Sequence, residues 1–300
     1  MASTFSSLPQ GTRAVTDSGP ILPYSVVGDF LDVPSEANFG EVAAVALDAR
    51  QHLYVFNRGP RPLMEFDGAG KYVRELAQGL ITHAHSLRFD WGGNLWLVDD
   101  ADYHVIKLDR RGRVLMVLGR RGRAGDSEVL FNRPTDVAVN SRGEIYVADG
   151  YGNARVMKFS PTGTFLFSWG NKGSGPGQFD TPHAIIIDSR DRIYVADREN
   201  RRIQVFDAGG RFLAQWTGFQ NPQGLSLGKD QSLYVGDTSR VVKLDLTGRV
   251  IGVFGTKGKG LGEMSGIHGL AVGRDGELFT AELLNWRVQK FVLTPSARGK

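Results

Sequence analysis

Short apolar runs alternate with glycine-rich and polar turns along almost the whole chain. Runs such as VAVN, IIID and LAVG are largely apolar, whereas IYVAD, LWLVD and LYVGD follow them after turns such as SRGE or SRDR. A third run (RVMKF, RIQVF) and a fourth (FLFSW, FLAQW) come next, separated by turns such as SPTG and DAGG. Turn residues that bound short β-rich runs indicate strands. The pattern therefore predicts a unit of four short strands.

The four-strand unit recurs six times with a period of about forty residues, which is typical of a β-propeller. The sixth unit stops after its third strand, VQKFVL, and the early segment YSVVGDFLDVPSEANFGE resembles the fourth strand and loop of the third unit, FLFSWGNKGSGPGQFDTP. We therefore predict an all-β, six-bladed propeller in which an N-terminal strand completes the last blade and removes two sheet edges. The predicted domain spans residues 22–294, with a flexible N-terminal tail over 1–21 and a C-terminal tail over 295–300.

The composition narrows the class of protein further. The chain of 300 residues contains no cysteine, so disulfides, thiolate ligands and a thiol nucleophile are excluded. We find neither a signal peptide nor an apolar run long enough to cross a bilayer. We expect a soluble, cytoplasmic protein without a membrane partner.

Positive charge is concentrated in one place. The net charge is +4, and six arginines lie within RRGRVLMVLGRRGR, residues 110–123. A nucleic-acid patch is one interpretation of such a run. We favour a solvated hairpin and loop, because the run has no interleaved aromatic residues for base stacking. The sequence does not define the oligomeric state.

Three histidines fall at the same position of the repeat, at the start of the inner strand. His85, His183 and His268 occupy this column in the second, fourth and sixth units; the other units have Ala43, Thr135 and Gln223 there. Inner strands of a closed ring line the central channel, so alternate blades should bring three imidazoles to one axial point. Three imidazoles with an open position are typical of a catalytic metal site, most plausibly zinc. The alternative is three separate structural histidines.

The residue after the second strand should lie on the same face, because the first two strands of a blade are antiparallel. This column contains Arg58, Gly150 with the adjacent Tyr151, and Arg198. The arginines could hold a carboxylate, or form salt bridges between blades. The tyrosine, beside a metal and an arginine, could have a lowered pKa and act as a base, or merely fill the rim. The preceding aspartates of the VAD phrase recur in four blades, which favours a structural, backbone-capping role.

The repeats resemble NHL repeats, best in IYVADGYGNARVMKF and IYVADRENRRIQVF. FNRG, AHSLRFD, FNRPTDVAVNSRGEIYVADGYGNARVMKFSPTG and GPGQFDTPHAIII also resemble the peptidyl-α-hydroxyglycine α-amidating lyases (peptidylamidoglycolate lyases). That family is a six-bladed propeller with a three-histidine zinc centre, and it cleaves a peptidyl-α-hydroxyglycine into a peptide amide and glyoxylate. The resemblance implies zinc on His85, His183 and His268, catalytic roles for Tyr151 and Arg58, and an active-site role for Arg198.

Two departures from the family surround the third histidine. The family has Met-Pro-His-Asp where this chain has Gly266, Ile267, His268 and Gly269. The missing methionine alters the expected substrate pocket. The missing aspartate removes a side-chain ligand of the structural calcium that the resemblance implies. Backbone carbonyls at Val45 and Leu87 remain available, but we do not predict calcium.

The leading hypothesis is a zinc-dependent carbon–nitrogen lyase acting on an α-hydroxyglycine-type carbinolamide, a small molecule or peptide that carries a carboxylate. One alternative is a metal-dependent hydrolase or lactonase at the same axial site. Another is a non-catalytic NHL scaffold that binds RNA or protein. Propellers host all three functions, so the fold alone does not choose among them.

Overall fold

A computed structural model describes residues 11–15 and 19–294 of the chain. These residues form six antiparallel sheets of at least four strands each, arranged in a ring. Each inner strand packs against the inner strands of the two neighbouring sheets, and the sixth packs against the first. The predicted all-β, six-bladed propeller is confirmed.

The strand bounds follow the predicted repeat. The N-terminal strands and blades one and two are β1 (Gly11–Ala14), β2 (Tyr24–Val27), β3 (Val42–Leu47), β4 (Leu53–Asn57), β5 (Leu63–Phe66), β6 (Tyr72–Leu76), β7 (Ala84–Phe89), β8 (Leu95–Asp99), β9 (His104–Leu108) and β10 (Val114–Gly119). Blades three and four are β11 (Asp136–Val139), β12 (Ile145–Asp149), the helical turn α1 (Gly150–Asn153), β13 (Arg155–Phe159), β14 (Phe165–Trp169), β15 (Pro182–Ile187), β16 (Ile193–Asp197), β17 (Arg202–Phe206) and β18 (Phe212–Thr217). Blades five and six are β19 (Pro222–Leu227), β20 (Leu233–Asp237), β21 (Arg240–Leu244), β22 (Val250–Phe254), the short pair β23 (Thr256–Lys257) and β24 (Glu263–Met264), β25 (Ile267–Val272), β26 (Leu278–Glu282) and β27 (Arg287–Leu293).

The ring closes through the N-terminal strand β2. It pairs antiparallel with β27, from Tyr24 opposite Leu293 to Val27 opposite Lys290. The sixth blade therefore has the order β2-β27-β26-β25, with its outermost strand drawn from the start of the chain. Pairing the two ends satisfies backbone groups that would otherwise lie at open edges.

The expected flexible tail over residues 1–21 needs a correction. Residues 11–14 form β1, which pairs parallel with β18 and adds a fifth strand to blade four. Val15 follows it into the core between blades four and five. The outer edge of β18 thus binds an added strand, and an adjacent apolar side chain is buried with it. The predicted tail at 295–300 lies outside the described residues.

The second strand of every blade is buried along its whole length, because both faces of the sheet are covered by neighbouring blades. All five residues are buried in β4, β8, β12, β16, β20 and β26. Large side chains such as Trp96, Tyr146 and Trp216 fill the spaces between blades. This packing fixes the inner strands, and with them the residues that line the channel.

The described residues include no helix that is long and apolar enough to cross a membrane. The arginine-rich segment 110–123 contains β10 and the turns on either side of it. Arg113 pairs with Asp109, and Arg121 pairs with Asp102. Both arginine side chains are exposed, as in a solvated hairpin and loop.

Candidate metal centre and active site

The repeat column that contains the histidines is a column of β-bulges. The register between the first and second strands skips one residue in five blades. The skipped residues are Ala43, His85, His183, Gln223 and His268. A bulge re-aims a side chain, and bulges are common beside active sites. At these positions the strand turns the column residue out of its normal pairing and into the channel.

Each histidine is oriented by the next blade. His85 Nδ1 donates to the carbonyl of Thr135 (2.5 Å), His183 Nδ1 to that of Gln223 (2.8 Å) and His268 Nδ1 to that of Ala43 (2.8 Å). The acceptors are the three non-histidine members of the same column. A carbonyl can only accept, so Nδ1 carries the proton and Nε2 keeps its lone pair. The column therefore supplies three ligand rings and three carbonyls that hold them.

The three imidazoles converge as the column predicted. Their ring centroids are 4.9 Å (His85–His183), 4.7 Å (His85–His268) and 4.7 Å (His183–His268) apart. One nitrogen from each ring lies within 4.8 Å of the other two, and all three residues are buried. The group could hold a metal ion, and three neutral nitrogens are a donor set that suits zinc.

Electrostatics keep the three histidines neutral. Burial lowers the pKa of His85 and His183 well below the ordinary value, and the neighbouring His268 lowers both further. Burial lowers the pKa of His268 to about 4, against the opposing hydrogen bond to Ala43. Neutral imidazole is the form that binds a metal, so the ligands are ready at neutral pH without first losing protons.

Tyr151 reaches the same point from α1, the turn after the second strand of blade three. Its hydroxyl oxygen lies 3.0 Å from His85 Nε2 and 3.2 Å from His183 Nε2. Burial raises the pKa of Tyr151, while Arg198 and Arg58 oppose that rise. The net direction is upward, so the protein groups alone do not produce the lowered pKa that the sequence suggested.

The two predicted arginines lie at the mouth in different roles. Arg198 Nη1 donates to the Tyr151 hydroxyl at 3.4 Å, and its guanidinium also pairs with Glu199. Arg58 pairs with Glu41 (2.7 Å) and donates to the carbonyl of Ala84 in blade two (3.1 Å). Arg198 therefore touches the tyrosine directly, whereas Arg58 acts on Tyr151 and the histidines by its charge.

Sequence reasoning missed Arg133, which lies beside Tyr151. The Arg133 guanidinium lies 4.6 Å from the centre of the Tyr151 ring and binds Asp100 at 2.8 Å. Asp100 also accepts from His83 Nδ1 at 2.5 Å. Arg133 and His83 lie two residues before the histidine column, and Asp100 lies in the Tyr151 column. A comparison of the repeats two positions before the histidine column is the signal that would have found Arg133.

The residue that ends each second strand, acidic in five blades and Asn57 in the first, has a structural role. Asp149 accepts from the amide of Asn132 (2.8 Å), and Asp197 accepts from that of Asp180 (2.7 Å), each seventeen residues earlier. The same bond recurs in the other four blades, where the amides of Gly40, Thr82, Gln220 and Ser265 donate to the side chains of Asn57, Asp99, Asp237 and Glu282, respectively. These side chains cap the loop before the inner strand, as the recurrence predicted.

A second cluster of metal-binding residue types does not form a comparable site. Asp99, Asp102 and His104 lie close enough to share an ion. The Asp99 carboxylate, however, accepts from four backbone amides, at residues 82, 83, 101 and 102. Asp102 accepts from Thr82 and Arg121. Both carboxylate oxygens of Asp99 and Oδ2 of Asp102 are therefore engaged in holding the loop.

A protein family described as a 6-bladed beta-propeller matches residues 125–217. Over 298 aligned residues, the chain is 32% identical to "Peptidyl-glycine alpha-amidating monooxygenase B" of Xenopus laevis, covering 84% of this chain and 34% of that protein. It is 33% identical over 143 residues to "Probable peptidyl-alpha-hydroxyglycine alpha-amidating lyase pgal-1" of Caenorhabditis elegans, covering 46% of this chain and 41% of that one.

The chain is a homologue of the amidating lyases. It spans well under half the length of these two relatives. Among solved structures, "Streptogramin B lyase structure" matches with a TM-score of 0.65 at 15% identity, covering 90% of this chain and 98% of that one. That likeness concerns the propeller fold alone.

The residues of this amidating-lyase homologue do not fit the structural calcium that the resemblance implied. An added Cβ at Gly269 would lie 2.9 Å from both the Ala43 carbonyl oxygen and the Ala44 Cα, so the backbone leaves no room for an aspartate. The channel below the histidines already contains a cation, Arg88, which binds Asp136 at 2.5 Å and the Leu225 carbonyl at 2.8 Å. A guanidinium thus bridges blades two, three and five.

The missing methionine has a structural counterpart in this homologue. Gly266 has a φ of 64°, and a Cβ there would lie 2.8 Å from Leu284 Cγ. Leu284 is 64% exposed and follows the second strand of blade six. The space beside the third histidine is therefore bordered by leucine from a different segment of the same blade.

Proposed function

We propose that this protein is a zinc-dependent lyase that cleaves the C–N bond of an α-hydroxyglycine-type carbinolamide to an amide and glyoxylate. One arrangement carries the proposal: three buried, neutral Nε2 atoms converge, and the Tyr151 hydroxyl lies within 3.2 Å of two of them. Relatives named as amidating lyases support the same chemistry.

His85, His183 and His268 would hold the ion, and the carbonyl bonds to their Nδ1 atoms would keep the three rings aimed at it. When bound, zinc would supply a Lewis acid that polarises the substrate hydroxyl and a positive charge that favours the phenolate of Tyr151. The fourth position would remain open for substrate, as in catalytic rather than structural zinc sites.

The reaction would require the transfer of one proton, which Tyr151 would carry out. Tyr151, as the phenolate, would accept the proton of the carbinol hydroxyl and return it to the amide nitrogen as the C–N bond breaks. The hydroxyl oxygen becomes the aldehyde oxygen of glyoxylate, so no external oxidant or water is consumed. Arg198, within hydrogen-bonding distance of the Tyr151 hydroxyl, would stabilise the phenolate and hold the substrate carboxylate.

Arg58 would contribute charge to the same mouth. Its guanidinium is fixed by Glu41 and Ala84, and it lowers the pKa values of Tyr151 and His268. A fixed cation at this position favours an anionic substrate and the phenolate form of Tyr151. The substrate class is therefore an N-acyl or N-peptidyl α-hydroxyglycine with a free carboxylate, in a protein we expect to be cytoplasmic.

The test is glyoxylate release from a synthetic N-acyl-α-hydroxyglycine by the zinc-loaded protein. We expect turnover, and we expect Tyr151→Phe to lower kcat/KM by about 10²- to 10⁴-fold, the usual contribution of a general base. Bound zinc per chain should be unchanged in that variant. Tyr72→Phe, on the outer strand of blade one, is the matched control and should retain full activity.

Two results would contradict the proposal. One is a zinc-loaded protein that releases no glyoxylate. The other is a Tyr151→Phe variant within about threefold of wild type, which would remove Tyr151 from the reaction. A lactonase or other hydrolase at the same centre would turn over its own ester substrates and release no glyoxylate from this one.

A further inference from the structure

Arg133 contacts Tyr151 through both its backbone and its side chain. The Arg133 carbonyl accepts from the amide of Tyr151 at 3.2 Å. The guanidinium lies over the ring of the same tyrosine, with Cζ 4.6 Å from the ring centre. Guanidinium groups within about 6 Å of an aromatic ring are attracted to its face. Arg133 therefore contacts both the backbone amide and the ring of Tyr151.

Asp100 anchors the Arg133 side chain. Its carboxylate is 1% exposed and binds Arg133 Nη2 at 2.8 Å and Nε at 3.3 Å. Burial alone would raise the pKa of Asp100, but hydrogen bonds from His83 and Arg133 hold it below the ordinary value. The carboxylate is thus charged. It binds two nitrogens of the Arg133 guanidinium, the group that also lies over the Tyr151 ring.

A second guanidinium lies near the same ring. Arg198 Cζ is 5.3 Å from the ring centre, and its Nη1 contacts the hydroxyl. Arg198 thus reaches the reactive end of the phenol, whereas Arg133 contacts the ring and the backbone. This division separates a residue placed to touch substrate from one placed to hold the tyrosine.

The left-handed backbone at Arg133 is a feature that the repeat shares between blades. The φ of Arg133 is 59°, and the equivalent residues Thr181 in blade four and Gly266 in blade six both have a φ of 64°. A non-glycine residue in this region costs free energy, so the surroundings must hold it. At this position, Arg133 is distinguished by its side-chain contacts with Asp100 and the Tyr151 ring.

We propose that Arg133, anchored by Asp100, is a positioning residue that holds the Tyr151 phenol between His85 and His183. This inference rests on the proposed function only for its catalytic consequence. The placement of the ring rests on contacts within the folded chain, so it can be measured in the metal-free protein. The two parts can therefore be tested separately.

The first experiment observes the ring directly. The protein is labelled with 3-fluorotyrosine, and the fluorine signal of Tyr151 is assigned by its loss in Tyr151→Phe. We expect Arg133→Met to shift or broaden that signal while the signals of the other seven tyrosines stay in place. Arg133→Lys, which keeps a cation, should restore part of the wild-type signal. Arg113→Met, an exposed arginine of the β9–β10 hairpin, is the matched control and should change nothing at Tyr151.

The second experiment separates positioning from substrate binding. With zinc bound and an N-acyl-α-hydroxyglycine as substrate, Arg133→Met should lower kcat by about 10- to 100-fold, the cost of a misplaced catalytic group. KM should stay within about threefold of wild type, because Arg133 acts through Tyr151. Asp100→Asn should change kcat in the same direction by less, and it keeps the test available if Arg133→Met does not fold.

The two experiments have distinct failures. An unchanged Tyr151 signal in Arg133→Met overturns the positioning role, whatever the activity. A KM that rises while kcat holds also overturns it, and makes the half-exposed Arg133 a substrate-binding residue. A displaced Tyr151 signal in a protein whose wild type releases no glyoxylate supports the positioning of the ring and removes only the proposed reaction.

Discussion

The axial channel handles charge in opposite ways at two successive levels. At the mouth, three neutral imidazoles direct their Nε2 lone pairs toward one another; they belong to His85, His183 and His268. Three residues further along the strand that carries His85, Arg88 crosses the channel and binds Asp136. Both levels line one cavity. The mouth presents three neutral nitrogen donors to one another, whereas at the lower level a guanidinium of the chain is paired with a carboxylate.

This contrast places a candidate metal site and a structural ion pair at adjacent levels of one ring. The Asp136 carboxylate also accepts from the amides of Val137 and Ile185, so every oxygen at the lower level has donors from the protein. At the mouth the Nδ1 atoms donate to backbone carbonyls, and the Nε2 atoms of His85 and His183 contact the Tyr151 hydroxyl. Because the lower level is complete without an ion, we expect only the mouth to respond to metal.

The largest loss of folding stability should come from removing the ion pair between Arg88 and Asp136 at the lower level. Arg88→Met leaves the buried Asp136 carboxylate without its cation, and losing one partner of a buried pair costs about 3–5 kcal/mol. Urea unfolding of the metal-free protein measures this loss. Arg142→Met breaks an exposed pair with Glu144 and Asp191 and should cost less than about 1 kcal/mol. If the two variants lost equally little free energy of unfolding, the ion pair between Arg88 and Asp136 would not be the stabilising contact that we infer.

The second-largest effect should be a loss of folding stability in acid, caused by protonation of His268 at the mouth. The folded pKa of His268 is about 4, below its ordinary value of 6.5, so the unfolded chain takes up the proton first as the pH falls. Stability of the metal-free protein is then complete above about pH 6.5 and falls toward pH 4. The pKa difference corresponds to a loss of about 3 kcal/mol for this residue.

The matched variant for the acid experiment is His268→Asn, whose side-chain amide can still donate to the carbonyl of Ala43. Unfolding by urea at several pH values between 7 and 4 measures the difference between the two proteins. The wild type should lose stability faster with falling pH. Parallel curves would contradict a neutral, buried His268, since carboxylate titration is common to both proteins.

The smallest expected effect is that of calcium. Because Gly269 has no room for a side chain and Arg88 already occupies the lower level, added calcium should leave the thermal midpoint unchanged. Zinc should raise it, since a ligand at a hundred times its Kd adds about 2.7 kcal/mol to stability. A calcium-dependent rise that a calcium chelator reverses would show that a calcium site exists despite Arg88.

The repeat pattern predicted the six blades, an N-terminal strand that completes the last blade, and the convergence of the three histidines. The prediction succeeded because equivalent positions of the repeats lie at the same height along the axis of a closed ring. The same logic placed Tyr151 and Arg198 at the mouth. The roles of those residues in a reaction stay predictions.

What the pattern missed depends on side-chain direction and on contacts between repeat columns. The carbonyls of Thr135, Gln223 and Ala43 carry no sequence signal, since any residue offers a carbonyl. Arg133 lies two positions outside the column that was compared. The pairing of Arg88 with Asp136 joins different positions of two blades, and strand β1 depends on an open edge that only the assembled fold presents.

The central claim is that the three histidines form a metal centre, and metal content per chain tests it most directly. The protein should be purified without a histidine tag, supplied with zinc, freed of excess metal and analysed beside His183→Ala and the control His52→Gln. We predict about one zinc per chain in wild type and in His52→Gln, and none in His183→Ala. A wild type that retains no metal after zinc is supplied, or a His183→Ala variant that retains it fully, would contradict the account.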